Sequence, residues 1–226
     1  MNVKQLAAEK AVEYVQDGMK VGLGTGSTAY WAIRKLGERV NEGLKITAVA
    51  TSQASEDQAR ELGIPLVSFS EVDSLDLTID GADELDGTLQ LIKGGGGALL
   101  REKIVAMGST RMIVVADESK AVTTLGKFPL PVEIVPFAWE WTVADLAKLG
   151  CKPELRRSGD ELYKTDNGNY IADCRFEAIA SAADLALSLQ RIPGVVEHGL
   201  FIGIASMAIV GKSDGTIEII EVDSGR

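Results

Sequence analysis

Five short apolar runs, each ending in a small or polar cluster, constrain this chain more than any other feature in it. Residues 21–23 end in GTGST, 46–50 in TSQAS, 77–79 in DGADE, 89–92 in KGGGG and 112–116 in DESK. Runs this short and this apolar read as strands buried on both faces. Helical spacing follows several of them, at 30–40 and 56–62, and an opening helix over 3–15 stops before Gly18. Strand, polar turn and helix in repetition spell an α/β fold: an open, mostly parallel, Rossmann-like sheet flanked by helices. Ligands of such sheets bind outside the carboxyl ends of the strands, so the clusters are expected along one edge although they are scattered in sequence.

The pattern changes after Lys120. Prolines crowd at 129, 131 and 136, and a short helix is expected over 142–149. The segment ELRRSGDELYKTDNGNYIADCRF alternates around Asp166-Asn167-Gly168 and reads as an antiparallel hairpin. Residues 180–190 read as a helix and 195–201 as a strand. Strands over 201–210 and 216–222, around Ser213-Asp214-Gly215, are expected to return to the first sheet. The expected organisation is an α/β domain of residues 1–127 plus 203–226, and a second, smaller α+β domain with antiparallel strands over 128–202.

Composition narrows the function by exclusion. The 226 residues carry a formal net charge of -10, which disfavours nucleic acid and anionic membrane as partners. An anionic substrate would need positive charge gathered locally. With His198 as the only histidine, a His-ligated metal site or a Ser-His-Asp triad has little to build on. Cys151 and Cys174 lack CxxC spacing and read as reduced thiols. The N-terminus mixes acids and bases without an apolar core, so it is not a signal peptide. The most apolar run, 200–210, is too short to span a bilayer, and a cytoplasmic location is expected.

Chemistry concentrates between Thr78 and Lys103. Asp80, Asp83 and Glu84 stand close in sequence, followed by Lys93 and the glycines 94–97. Consecutive glycines let backbone N–H groups approach and hold an anion. The carboxylates read either as a solvated acidic turn, as a cluster in which like charges raise one pKa, or as a magnesium site. Lys93 offers compensating charge without a metal. GTGSTA joins a strand to a helix, where N–H groups, hydroxyls and the helix dipole suit a phosphate. Its bland reading is a tight turn with Ser27 as N-cap. Its match to G-x-G-x-x-A is weak, and TSQAS supplies no acid for a ribose. By spacing alone Glu102, within Arg-Glu-Lys, is a solvated helix residue, and Lys4 is also surface. Lys120, at a strand end, is a better anion contact.

In order along the chain, GTGSTA, TSQAS, DGADE, KGGGGALLREK, VVADESK, LPVEIVP, TDNGNYIADC and IPGVVEHGLF resemble ribose-5-phosphate isomerase of the A type over nearly the full length. The resemblance implies cofactor-free interconversion of D-ribose 5-phosphate and D-ribulose 5-phosphate in the non-oxidative pentose phosphate pathway, without a metal. It implies Glu102 as the general base, Asp80 assisting ring opening, and Asp83 and Lys93 holding hydroxyls and the developing oxyanion. Thr25, Gly26, Ser27, Thr28, Lys120 and Lys4 would bind the phosphate, and Gly81, Ala82, Gly94, Gly95 and Gly96 would line the sugar. A homodimer or homotetramer is also implied. The rivals are a sugar-phosphate deaminase or coenzyme A transferase on a related scaffold, and a non-enzymatic sugar-phosphate sensor.

Overall fold

The computed structural model describes residues 2–222. The chain opens with α1 (Val3–Val12), β1 (Lys20–Leu23), α2 (Ala29–Asn41), β2 (Thr47–Ala50), α3 (Gln53–Glu61) and β3 (Leu75–Gly81). Two short strands, β4 (Glu84–Leu85) and β5 (Leu91–Ile92), lead to α4 (Leu99–Met107) and β6 (Ser109–Asp117). Then come β7 (Leu130–Ile134), α5 (Trp139–Ala147), β8 (Lys152–Leu155), β9 (Arg157–Ser158), β10 (Glu161–Leu162) and β11 (Tyr170–Arg175). The chain closes with α6 (Ala182–Gln190), β12 (Val195–His198), β13 (Leu200–Phe201), β14 (Met207–Gly211) and β15 (Ile217–Glu221).

Contacts gather these elements into two compact units. One takes the chain up to Ala82, Arg101–Ala121 and the chain from Gly203 onward; the other takes Asp83–Leu100 and Val122–Ile202. The sequence-based boundaries and this grouping differ over residues 83–100 and 122–127.

In the first unit six strands form one sheet in the order β15-β14-β6-β3-β1-β2, parallel except for β15, which returns antiparallel on β14. The last strands thus return to the first sheet as expected. Alternation decides the two faces. Leu77, Ile79, Ile113 and Val115 pack on Ala7, Ala8, Ala11 and Val12 of α1 and on Ala32, Ile33 and Leu36 of α2. On the opposite face, which Gly22 and Thr78 share, Val105 of α4 clusters with Val49. That face is tight: a Cβ on Gly22 would lie 2.1 Å from Thr78 Oγ1 and 2.6 Å from Val105 Cγ1.

The second unit holds an antiparallel sheet, β12-β7-β11-β8. Leu130, Val132 and Ile134 pack with Ala172, Cys174, Leu146 of α5 and Leu189 of α6. The segment is antiparallel as expected, but not as one hairpin about Asp166-Asn167-Gly168: β11 pairs with β8, β10 turns back on β9, and the 165–169 turn only links β10 to β11. The free thiols of Cys151 and Cys174 are both buried. Their Sγ–H groups donate to Leu146 O and Ala172 O, and interaction between the two thiols holds Cys151 below its ordinary value and, with burial, pushes Cys174 up.

Two expectations are corrected here. The run at 89–92 is not a strand of the parallel sheet: β5 pairs antiparallel with β4 and β13, so KGGGG does not end a parallel strand. A strand buried on both faces looks equally apolar in either kind of sheet. Leu89 lies outside the strand, in the left-handed region at φ 56°, in the turn that closes Asp86 to Gln90. The run at 195–201 breaks at Gly199 into β12 and β13, which belong to different sheets. A side chain at Gly199 would strike the Lys93 carbonyl at 2.2 Å.

Candidate active site

Sheet order singles out one edge of the first unit. The chain leaves β1 for β2 on one side and returns to β3 on the other, so the carboxyl ends of β1 and β3 flank a topological switch point. GTGST follows β1 and DGADE begins at the end of β3. The two segments are stitched together. Gly24 N–H donates to Ile79 O at 3.0 Å, and Asp80 Oδ1 accepts from Thr25 N at 3.0 Å and from Gly81 N at 2.7 Å. Asp80 is fully buried and sits so close to Gly24 that a Cβ there would fall 2.2 Å from Asp80 Oδ1.

TSQAS, at the end of β2, braces the same loop. Thr25 Oγ1 meets Thr51 Oγ1 at 2.7 Å and Ser52 Oγ at 2.8 Å, and Ser55 Oγ donates to Gly24 O at 2.7 Å. Sequence reasoning placed this cluster at the edge but gave Thr51, Ser52 and Ser55 no role. Gly26, at φ 103°, makes the turn into α2, and its carbonyl accepts the first helical bond, from Tyr30 N. The expected N-cap is corrected: Thr28, not Ser27, occupies that position, without a side-chain cap bond. The Ser27 hydroxyl instead accepts from Lys4 Nζ at 3.0 Å. Lys4 Nζ also lies 4.0 Å from Asp117 at the end of β6. Lys4, which spacing alone assigns to plain surface, therefore joins the GTGST loop to the DESK turn. Lys120, half-buried, closes the 3-10 turn Glu118–Lys120 just after β6. A cavity of about 610 Å³ opens beside the loop, lined by Thr25, Gly26, Ser27, Tyr30, Trp31 and Gln58 among others.

Glu102 is 3 % exposed, so the solvated-residue reading is corrected. It lies in the first turn of α4, where the helix dipole favours an acid. One turn later on the same helical face is Val105, which packs on the sheet face that Thr78 and Asp80 share. In a parallel α/β unit the helix preceding a strand starts near the carboxyl edge. Glu102 and Asp80 are thus assigned to one face and one edge of the first unit.

Ala82, just after β3, also belongs to the first unit; the remaining candidates, Asp83, Lys93 and the glycine loop, belong to the second. The three neighbouring acids do not form a cluster. Asp80 holds Thr25 and Gly81, Asp83 Oδ2 accepts from Gly95 N at 2.7 Å, and Glu84 accepts from Gly126 N at 2.7 Å and from Phe128 N at 2.6 Å. Glu84 is a buried fastener of the 126–128 turn rather than a site acid. Among the described residues no group of three or more His, Cys, Asp or Glu side chains is arranged to hold a metal ion. Lys93 is 2 % exposed, with Nζ 5.4 Å from the centre of the Phe201 ring, an arrangement that favours the ammonium electrostatically. Its backbone N–H donates to Gly199 O.

The glycine loop turns at Gly94 (φ 104°) and Gly97 (φ 83°), with Gly97 N donating to Gly94 O. Arg156 Nη1 donates to Gly94 O at 2.9 Å and to Gly95 O at 3.1 Å, and Tyr163 abuts Gly97, whose Cβ would fall 2.1 Å from the phenol oxygen. Burial raises the Tyr163 phenol above its ordinary value, against a smaller lowering by the Arg156 charge. Sequence reasoning missed Arg156 and Tyr163. His198 is buried, and its Nδ1 accepts from Leu200 N, in keeping with a structural role.

The family model of ribose 5-phosphate isomerase A (phosphoriboisomerase A) matches residues 47–215. The chain belongs to this family. Ribose-5-phosphate isomerase A of Bacillus mycoides is 56% identical over 219 residues, covering 96% of this chain and 99% of the relative. Among solved structures, ribose 5-phosphate isomerase A of Methanocaldococcus jannaschii superposes with a TM-score of 0.92 at 40% identity, covering 98% of this chain and 99% of that one. A D-ribose-5-phosphate isomerase in complex with phospho-erythronic acid gives 0.94 at 40% identity, over 98% and 100% of the two chains. Membership in the isomerase A family favours neither the deaminase nor the sensor reading.

Proposed function

We propose that the chain interconverts D-ribose 5-phosphate and D-ribulose 5-phosphate through a cis-enediolate, as an aldose-ketose isomerase of the non-oxidative pentose phosphate pathway. The burial of Glu102 on the Asp80 face of the sheet, in a chain of the isomerase A family, carries this reading. Asp80, held by two backbone N–H groups at the switch point, would assist opening of the furanose ring. Glu102 would remove the proton from carbon 2 of the open aldose, the electron pair moving onto the carbon 1 oxygen as an enediolate. A proton then passes from the oxygen on carbon 2 to that on carbon 1, and Glu102 returns its own to carbon 1, leaving the ketone at carbon 2. A positioned base contributes about 10² to 10⁴ in rate.

Lys93 and Asp83 would hold the hydroxyls and balance the developing charge, while Gly81, Ala82, Gly94, Gly95 and Gly96 line the sugar. Thr25, Gly26, Ser27 and Thr28, with Lys4 and Lys120, would take the 5-phosphate, supplying the local positive charge that a chain of net charge -10 otherwise lacks. Binding energy at the phosphate, remote from the reacting carbons, orients them. The reading includes no cofactor, a cytoplasmic location and a homodimer or homotetramer. Among the described residues no helix is long and apolar enough to cross a membrane.

The test follows ribulose 5-phosphate formation from ribose 5-phosphate in wild type and Glu102→Gln. Glutamine keeps the shape but cannot accept the proton. Turnover in wild type and loss of most of kcat in the variant, with KM little changed, is the expected result. Near-normal turnover in Glu102→Gln would sink the base assignment.

A further inference from the structure

Catalysis as proposed uses the glycine loop through its N–H groups, and leaves LPVEIVP and TDNGNYIADC without a role. Both segments lie in the second unit beside the residue that grips the loop. In a trans peptide the C=O and N–H point in opposite directions. The peptide joining Gly94 to Gly95 is clamped at both ends: its carbonyl accepts from Arg156 Nη1 at 2.9 Å, and its N–H donates to Asp83 Oδ2 at 2.7 Å. The next peptide is held at its carbonyl alone, 3.1 Å from the same Arg156 nitrogen, so the Gly96 N–H points away from the guanidinium.

The guanidinium is itself immobilised. Arg156 Nε donates to Asp173 Oδ2 at 2.9 Å and Nη2 to Asp173 Oδ1 at 2.6 Å, a bidentate pair whose side chains are 15% and 23% exposed. Asp173 comes from the IADC segment of β11. The Arg156 backbone carbonyl accepts from Tyr163 N at 2.9 Å, and the Tyr163 ring centre lies 5.8 Å from Cζ. Further along, Glu133 of LPVEIVP fastens the 165–169 turn by accepting from Thr165 Oγ1 at 2.9 Å, Asn167 Nδ2 at 3.1 Å and Asn169 Nδ2 at 2.9 Å.

We propose that Arg156, fixed by Asp173, is a positioning residue for the isomerisation: by holding the carbonyls of Gly94 and Gly95 it aims the Gly96 N–H at the oxyanion of the enediolate. The proposal rests on the isomerase reading above. Arg156 touches no reacting atom in this scheme. It acts by removing the loop's freedom to rotate its peptides, so that the donor is already oriented when charge develops. Lysine cannot substitute fully, because a single ammonium does not span two carbonyls and a carboxylate in one plane.

The experiment measures kcat, KM and two inhibition constants, for inorganic phosphate and for phospho-erythronic acid, in wild type, Arg156→Ala, Arg156→Lys and Asp173→Asn. Phospho-erythronic acid carries a carboxylate, a fixed negative charge of the kind the enediolate develops. Loss of an aimed oxyanion donor costs about 10² in rate. Arg156→Ala is therefore expected to lower kcat by about that factor, with KM within about threefold, phosphate binding unchanged and phospho-erythronic acid weakened in proportion to kcat/KM. Arg156→Lys and Asp173→Asn should fall between, and Arg156→Ala/Asp173→Asn should be no worse than Arg156→Ala. Guanidinium ion added to Arg156→Ala should restore part of kcat. Unchanged kcat, or a loss that leaves phospho-erythronic acid binding intact, would overturn the proposal. If Arg156→Ala fails to fold, Arg156→Lys at wild-type melting temperature carries the same comparison. Failure of wild type to isomerise ribose 5-phosphate would instead defeat the reading above, and the two binding constants would still test the role of Arg156.

Discussion

Gly24→Ala should be one of the most damaging single-methyl changes at the GTGST loop, and Gly81→Ala in DGADE one of the mildest. Neither glycine has a positive φ, so backbone strain does not separate them. Space does. A Cβ at Gly24 would fall 2.2 Å from Asp80 Oδ1, 2.3 Å from Cγ and 2.6 Å from the Asp80 Cα, whereas the nearest atom to a Cβ at Gly81 is 3.8 Å away. The Asp80 backbone is part of β3 and cannot retreat, so the carboxylate must rotate off its bonds to Thr25 N and Gly81 N. A hydrogen bond to a charged group is worth about 1.5 to 3 kcal/mol, and forced overpacking costs about 1 to 3 kcal/mol. Partial retention of one bond gives a net loss of about 3 kcal/mol, or about 6 to 12 °C in Tm for a chain of this size. Because Asp80 also moves relative to the loop, kcat/KM should fall by about 10². Thermal melts of the two variants side by side, with kinetics on ribose 5-phosphate, make the comparison. A Gly24→Ala protein that melts within about 2 °C of wild type, or below which Gly81→Ala melts, would refute the packing argument.

Other substitutions separate fastening from chemistry. Glu84→Ala leaves Gly126 N and Phe128 N without their acceptor and should cost about 3 kcal/mol in denaturant unfolding, with kcat within a few-fold of wild type in the folded fraction. Glu133→Ala strands three donors of the 165–169 turn, and urea melts should show a loss of at least about 2 kcal/mol. Lys120→Ala and Lys4→Ala should chiefly raise KM, seen as an unchanged plateau at saturating substrate; a loss confined to kcat would argue against phosphate contacts. Activity should survive exhaustive EDTA treatment, and a loss restored by magnesium would revive the metal reading.

Much of the first unit was legible because its strands are buried on both faces, which writes continuous apolar runs into the sequence, and because each run ends where the chain must turn. The same rule misled at residues 89–92, where a strand of a small antiparallel sheet is just as dry. The acids of DGADE admitted a cluster reading beside that of a solvated turn because sequence counts separation along the chain. The backbone sends Asp80, Asp83 and Glu84 to three different sets of N–H groups. Glu102 was invisible to spacing, since Arg-Glu-Lys has the composition of a wet helix and its burial comes from tertiary packing. Only the resemblance, carried by KGGGGALLREK, singled it out. Arg156 gave no signal at all: it sits beside Arg157 in a charged stretch, and its partners Gly94 and Asp173 are 62 and 17 residues away.

The position of β14 has a consequence for how the chain is made. All five of its residues are buried, and it pairs along the full register of β6 from Met207↔Ile113 to Gly211↔Asp117. On a ribosome, β6 emerges long before this neighbour exists. Throughout synthesis of the intervening residues its edge presents unpaired N–H and C=O groups flanked by Ile113, Val114 and Val115, the kind of surface that recruits a stray strand. The sheet bearing the GTGST loop cannot close until residues 207–211 have emerged. A nascent chain stalled before residue 207 should therefore be a holdase client and aggregation-prone, while a chain that also carries residues 207–221 is not.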